Sequence, residues 1–395
     1  MRLSRLLFLL SLLSALPVFP ATVLVLQFQN HSQYSDLNWV GESIAETLMN
    51  EYAEANQIVL DRGSRSEAMH RLLLRPGATF TKASLIRLGQ SLDADILCYG
   101  TYDANLPAGS SELKESSVQL SARFLDLRKM HDGPEASETG KLSELSRLEE
   151  HLAFTTLKYL EPKANLTLDQ FLAPGKLVRV DAEESYIRGL ISSSGEQQQK
   201  WFMQAAALDP HFAGPAFELG KLALQRKDYA QALAFLQRIN PPDPRYTEAR
   251  FKMGLSAYGA ADYTAAANYF REVLKTYPLN EVYNNLGAAE MQLNQPAAIG
   301  DLRRAVDGDS NDPTYLFNLG AALLKSDRFE DAAKALQGVL DRKPDDSDAS
   351  ALLERAQSHE SSSSAKPDIP ERLKPNLDST AFRQLKAMLQ PKGSE

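Results

Sequence analysis

Residues 251–278 read FKMGLSAYGAADYTAAANYFREVLKTYP. Gly254 is followed twelve residues on by Ala266, four further by Phe270, and eight beyond that by Pro278. The same order recurs on both sides: Gly220, Ala232, Leu236 and Pro244 before it, and Gly320, Ala332, Leu336 and Pro344 after it. Each set opens on a related tetrapeptide, Phe217-Glu-Leu-Gly220, Phe251-Lys-Met-Gly254 and Phe317-Asn-Leu-Gly320. A fourth, Asn284-Asn-Leu-Gly287, is irregular: its alanine, Ala298, comes eleven residues on and its proline slips to Pro313. Successive glycines stand 34, 33 and 33 residues apart. The physical reading is a pair of antiparallel helices per unit. Glycine and alanine let the two backbones approach, the large apolar residue fills the remaining gap, and proline stops the second helix. Asp228, Asp262 and Arg328 open the second helices.

This pattern resembles the tetratricopeptide repeat, with its L-G, A-x3-F and P positions and 34-residue period. The resemblance implies an all-α solenoid over residues 181–357 with four clear repeats. A degenerate unit precedes them (Tyr186-Ile-Arg-Gly189 through Trp201–Leu208), and Asp348–Gln357 serves as the capping helix. Four units exceed the roughly three needed for a stable stack.

A solenoid offers a concave face lined by the first helix of each unit. Family groove positions fall here on Phe217 and Lys221, Phe251 and Leu255, Asn284 and Ala288, Phe317 and Ala321, with Tyr258 one turn on. The set is aromatic and aliphatic with one lysine. It lacks the lysine, asparagine and arginine set with which chaperone-binding members clamp a terminal carboxylate, so an apolar or amphipathic peptide, helical or extended, is the expected ligand. Asn285 and Asn318 have two readings: partners for a peptide backbone, or residues that are simply common before L-G in this repeat. The aromatics likewise divide between ligand contact and packing between units.

Upstream, Thr22–Phe28 (TVLVLQF) is a near-continuous apolar run and reads as a strand buried on both faces. Helical spacing follows over Trp39–Ala53, Ser64–Leu74, Thr81–Leu92 and Ser143–Leu160, with strands at Gln57–Leu60 and Ala94–Tyr102. Val118, Leu120, Ala122 and Phe124 alternate with polar residues, the mark of a half-exposed antiparallel strand. The sum is an α/β sandwich with a mixed sheet over residues 22–160. Its segments VLVLQFQN, NWVGESIAETL, LGQSLDADILCYGTY and VQLSARFLDL resemble the N-terminal domain of TolB and related FlgO-like and CsgG-like envelope domains. Gln27 departs from the proline common in that first strand. The resemblance implies a non-enzymatic cell-envelope module that contacts other proteins.

The first 21 residues carry Arg2 and Arg5, then an apolar stretch, Leu6–Leu13, then Pro17, Pro20 and Ala21. This order is that of a secretory signal, and the apolar run is short for a bilayer span. Phe19 stands where a signal peptidase prefers a small residue, so both cleavage and retention as an anchor stay open. The expected location is periplasmic or envelope-associated. Residues 161–180 read as a linker, 358–377 as a second linker by their Ser, Lys and Pro content, and 378–390 as a short amphipathic helix with Phe382, Leu385 and Leu389 on one stripe. That helix would dock on a partner or fold back onto the groove.

Forty-three basic against fifty-one acidic residues give a net charge of −8, a poor balance for gripping nucleic acid or an anionic membrane. One cysteine, Cys98, excludes an internal disulfide framework and multi-cysteine metal sites, and reads as a small buried hydrophobe. The six histidines show no ligand spacing. Glu42 and Glu46 share a helix face that reads as solvated. No catalytic motif, cofactor or metal site is read from the chain. The function expected is an exported scaffold or adaptor that binds protein partners through the groove and the N-terminal domain. The alternatives are an accessory subunit of an outer-membrane or secretion assembly, oligomerising through that domain, and an enzyme with its site at the domain junction.

Overall fold

The computed structural model describes residues 21–55, 57–75, 78–110, 112–162, 167–172, 177–360 and 371–389. The export signal expected over the first residues thus falls almost wholly outside the described part. The chain divides into two compact units, one ending at Leu177 and the other beginning at Val178.

The first unit contains β1 (Thr22–Val25), β2 (Gln29–Asn30), α1 (Val40–Glu54), β3 (Ile58–Val59), α2 (Arg62–Arg71), α3 (Lys82–Gln90), β4 (Ile96–Asn105), β5 (Ser117–Asp126), β6 (His131–Lys141), α4 (Leu145–Leu160) and the short α5 (Leu168–Phe171). The sheet runs β3-β1-β4-β5-β6, with β2 also paired to β4. β1 lies parallel to β3 and β4, whereas β4–β5 and β5–β6 are antiparallel, so the sheet is mixed. Both faces of β1 are covered, which explains its unbroken apolar run. Leu24, Leu26 and Leu97 pack with Ala68, Leu85 and Leu88 of α2 and α3. On the opposite face, Tyr52 of α1 donates from its hydroxyl to Thr156 of α4 at 2.7 Å and lies 3.8 Å from the Cys98 sulfur.

Two readings are corrected here. β6 was not foreseen. Its sequence, HDGPEASETGK, has no apolar alternation because it is the sheet's edge and mostly solvent-facing, where proline and charge are tolerated. Glu42 does not belong to a solvated helix face. It is buried and paired with Arg65, whose other nitrogen donates to the Val25 carbonyl at 3.1 Å. A buried carboxylate demands such a partner.

The second unit is a run of helices: α6 (Val180–Ile191), α7 (Gly195–Leu208), α8 (Ala213–Gln225), α9 (Tyr229–Leu236), α10 (Tyr246–Gly259), α11 (Tyr263–Leu274), α12 (Asn280–Gln292), α13 (Ala298–Gly308), α14 (Pro313–Lys325), α15 (Phe329–Leu340), α16 (Ser347–Gln357) and α17 (Ser379–Leu389). The steric role read for the repeat glycines holds. A Cβ on Gly254 would come within 2.5 Å of the Phe270 ring, and one on Gly220, Gly287 or Gly320 within 2.5–2.6 Å of Leu236, Leu302 or Leu336. The irregular unit therefore closes on Leu302, four residues past Ala298.

Each of these helix pairs turns in the same way. Lys227, Ala261, Asn294 and Asp327, each seven residues past its glycine, have φ between 52° and 61°. The next N–H then reaches back to a carbonyl of the first helix, as in Asp262 N to Ala257 O at 2.9 Å. This is the left-handed helix stop, built here without glycine.

Candidate peptide-binding groove

The first helices α12 and α14 place Asn284, Asn285 and Asn318 side by side: Asn285 and Asn318, each two residues before its repeat glycine, hold the same position in successive repeats, and Asn284 precedes Asn285. All three are fully buried. Their amides form a chain: Asn318 Nδ2 donates to Asn284 Oδ1 at 2.9 Å, and Asn284 Nδ2 donates to Asn285 Oδ1 at 3.0 Å.

What covers them is the segment Glu371–Asp378 of the same unit. Asn318 Oδ1 accepts from the Arg372 N–H at 2.8 Å while its Nδ2 donates to the Arg372 carbonyl at 2.7 Å. Asn285 treats Lys374 identically, both bonds at 2.8 Å. Asn284 adds a second donor to the Arg372 carbonyl at 3.0 Å. Residues 372 and 374 thus present N–H and C=O on one edge, as alternate residues of an extended strand do, and two side-chain amides act as the neighbouring strand.

Side chains fix the register. The Arg372 guanidinium lies over the Phe317 ring, 3.5 Å from its centroid, and forks onto Asp346 at 2.6 and 2.8 Å, with Asp348 at 3.3 Å. Lys374 pairs with Asp312 and stands 4.9 Å from the Tyr315 ring centroid. Glu371 accepts from Tyr258 at 2.8 Å and Gln292 at 2.7 Å. Lys252 donates to Asn376 Oδ1 at 2.7 Å and the Pro375 carbonyl at 3.2 Å, and Glu281 accepts from the Asp378 N–H at 2.8 Å.

Asp378 then caps α17, accepting from Thr380 and Ala381 at 2.9 and 2.7 Å. Leu373, Leu377, Ala381, Phe382 and Leu385 pack on the cluster of α10, α11 and α12. The Phe382 ring meets Tyr277 edge-on at 4.8 Å. Residues 371–377, read from composition as linker, are therefore an ordered strand-like segment. Leu373 and Leu377, four residues apart, find apolar cover, and the backbone finds amides.

Electrostatics follow these contacts. The bond from Arg372 holds the Asp346 carboxyl down at about 2, against an ordinary 3.8. Burial raises Glu281 and lowers Lys252, and burial followed by the nearby Glu371 charge raises Tyr258.

Of the residues singled out by sequence, Tyr258, Asn284, Asn285, Phe317 and Asn318 meet the segment. Phe251 and Leu255 lie beneath it in the same apolar cluster, Phe251 fully buried against Phe270 at 5.7 Å. Phe217 and Lys221 lie elsewhere: Phe217 packs with Leu236, Ile239 and Met253, and Lys221 pairs with Glu218 at 3.0 Å. Sequence reasoning missed Lys252, Glu281, Asp312 and Asp346. The last two are helix N-caps, accepting from the backbone N–H groups of Thr314 and Ala349, and an aspartate so employed gives no surplus signal. Among the described residues, no group of three or more His, Cys, Asp or Glu could hold a metal ion, and no helix is long and apolar enough to cross a membrane.

Two tetratricopeptide repeat family models match the chain, one over residues 251–313 and one over 296–356. The helical region thus contains tetratricopeptide repeats over residues 251–356, and it follows an N-terminal mixed-sheet unit. No curated protein matches the chain. Among solved structures it is similar to YrrB, titled a TPR protein with an unusual peptide-binding site, at 22% identity, covering 40% of this chain and 82% of that one, with a TM-score of 0.36. It is similar to MamA from Desulfovibrio magneticus RS-1 at 20% identity, covering 42% and 95%, with a TM-score of 0.39. It is also similar to the LpoB C-terminal domain from Salmonella enterica at 14% identity, covering 31% and 83%, with a TM-score of 0.25.

Proposed function

We propose that the chain is an exported cell-envelope adaptor that holds protein partners by an extended segment laid along the inner face of its repeats, with no bond chemistry. The observation that carries this reading is the doubled pairing of Asn318 with Arg372 and of Asn285 with Lys374. A surface that satisfies the backbone of an extended segment, and reads alternate side chains beside it, is a peptide-recognition surface. Export is supported by the charge and apolar order of residues 1–21. The envelope setting is supported by the resemblance of residues 22–160 to the TolB N-terminal domain. In this reading that domain is a second attachment point, and two weak contacts joined by one chain give a tight tether.

The test is affinity purification from the native envelope with the full-length chain and its Asn285→Ala/Asn318→Ala variant, matched for helicity. A partner retained by wild type and lost by the variant supports the groove. A partner set untouched by the double substitution removes it. Export is read separately: a mature N-terminus at or near Thr22 in a periplasmic fraction supports it, and an intact Met1 form confined to the cytosol contradicts it.

A further inference from the structure

Backbone pairing by asparagine is indifferent to sequence, so whatever selectivity the groove has must come from its side chains. Tyr258 and Gln292 take Glu371, and the charged ones that face the rest of the segment are mostly acidic. Asp346 and Asp348 take Arg372, Asp312 takes Lys374, and Glu281 takes the N–H of Asp378. Lys252 is the cation set among them, and it is engaged by Asn376 and the Pro375 carbonyl. Two aromatic rings of α14, Phe317 and Tyr315, lie under the same two cations. The pairing aspartates are spaced one repeat apart, and the cations two residues apart on an extended chain, hence on one face and about 6.6 Å from each other. The stack of repeats thereby matches a two-residue period. Between the cations, Leu373 turns to the apolar cluster, and four residues past Pro375 the segment becomes the helix α17.

We propose that residues 371–389 are the chain's own pseudo-ligand, and that the external partner of the groove carries the same code: an extended Arg-x-Lys segment, apolar at x, running directly into a short amphipathic helix. The partner binds by displacing the segment already seated. This rests on the groove being a peptide site. An acidic or neutral extended peptide meets uncompensated carboxylates at both cation positions and is rejected. Tethering makes the internal segment a strong competitor, since it belongs to the same chain as the groove and an external peptide must displace an intramolecular contact.

The experiment titrates a fluorescent peptide copying residues 371–389 into two full-length chains, wild type and Arg372→Glu/Lys374→Glu, by fluorescence anisotropy. The second chain repels its own segment from Asp346 and Asp312 and leaves the groove open. Expected is binding to the opened chain at least tenfold tighter than to wild type, and at least tenfold weaker binding there of a peptide carrying Arg372→Ala and Lys374→Ala. Asp312→Asn/Asp346→Asn placed in the opened chain keeps both helix caps and should abolish the difference between the two peptides. Equal binding by the two peptides overturns the cation code while leaving the groove intact as a peptide site. Equal binding to the two chains overturns self-occupancy. No binding of either peptide to the opened chain, with its helicity unchanged, overturns the peptide site itself. A molar mass for wild type that doubles with concentration, and does not for the opened chain, overturns occupancy by the chain's own segment and puts a second copy's segment in the groove.

Discussion

The side-chain amide of Asn285 takes both backbone hydrogen bonds of Lys374: Oδ1 accepts from its N–H and Nδ2 donates to its carbonyl, each at 2.8 Å. Asn318 does the same for Arg372. One asparagine side chain thus replaces one rung of a β-ladder, and two of them on adjacent helices hold an extended segment in a fixed register.

Removing either amide leaves the segment's N–H and C=O to water. Each net hydrogen bond is worth about 1 kcal/mol, so Asn285→Ala/Asn318→Ala should weaken docking by several kcal/mol. The reporter is trypsin cleavage after Arg372. It should speed up at least tenfold in the double variant, with the melting of the repeats little changed. A cleavage rate equal to that of wild type would show that the amides do not hold the segment.

Docking should fail in acid. The Asp346 carboxyl is depressed to about 2 in the docked state by Arg372, from 3.8. A depressed carboxylate contributes stability that is fully present above its ordinary value and is lost as pH falls through the docked one. Protection of Arg372 against proteolysis, read with an acid-active protease, should therefore decline between pH 4 and 2. Asp346→Asn keeps the cap of α16 and should flatten that decline while lowering protection at pH 7.

Two substitutions within one repeat should have opposite signs. Ala261 sits at φ 61°, a conformation costly for any side chain, so Ala261→Gly should stabilise by about 0.5–1 kcal/mol. Gly254 has Phe270 2.5 Å from where a Cβ would stand, so Gly254→Ala should destabilise by roughly 1–3 kcal/mol through overpacking. Urea denaturation of both variants checks the pair. Shifts of the same sign would refute the geometry assigned to this turn.

Cys98 should be inert. It is fully buried in β4, and burial pushes its thiol up to about 12. The folded chain should resist alkylation at pH 8 over hours and be labelled once on denaturation. Rapid labelling of the native chain would contradict the packing of that strand against Tyr52.

The repeats were legible because close helix approach is a steric demand that only a few residue types meet, and Gly254, Ala266 and Phe270 meet it at fixed spacing. The strands β1 and β5 declared themselves by a continuous and an alternating apolar pattern. β6 did not, since an edge strand owes its place to β5 rather than to its own side chains. In the groove, Tyr258 and the asparagines were visible as positions on a helix face, but whether Asn285 and Asn318 were common repeat residues or backbone partners depended on a segment some 90 and 55 residues further along the chain. Pro375 and its polar neighbours have the composition of a linker. Their order comes from Asn285, Lys252 and Glu281, and long-range pairing of that kind leaves no local trace. Phe251 and Phe317 were placed on the concave face, yet both are fully buried. Truncating either would test the packing of the repeats along with the groove.

The most direct test of the central claim is amide hydrogen exchange, residue by residue, across 371–378 in the full-length chain. The account predicts protected amides at Arg372 and Lys374, faster exchange at the Leu373 amide between them, and loss of that alternation in Asn285→Ala/Asn318→Ala. Uniformly fast exchange across the segment in the wild-type chain would contradict it.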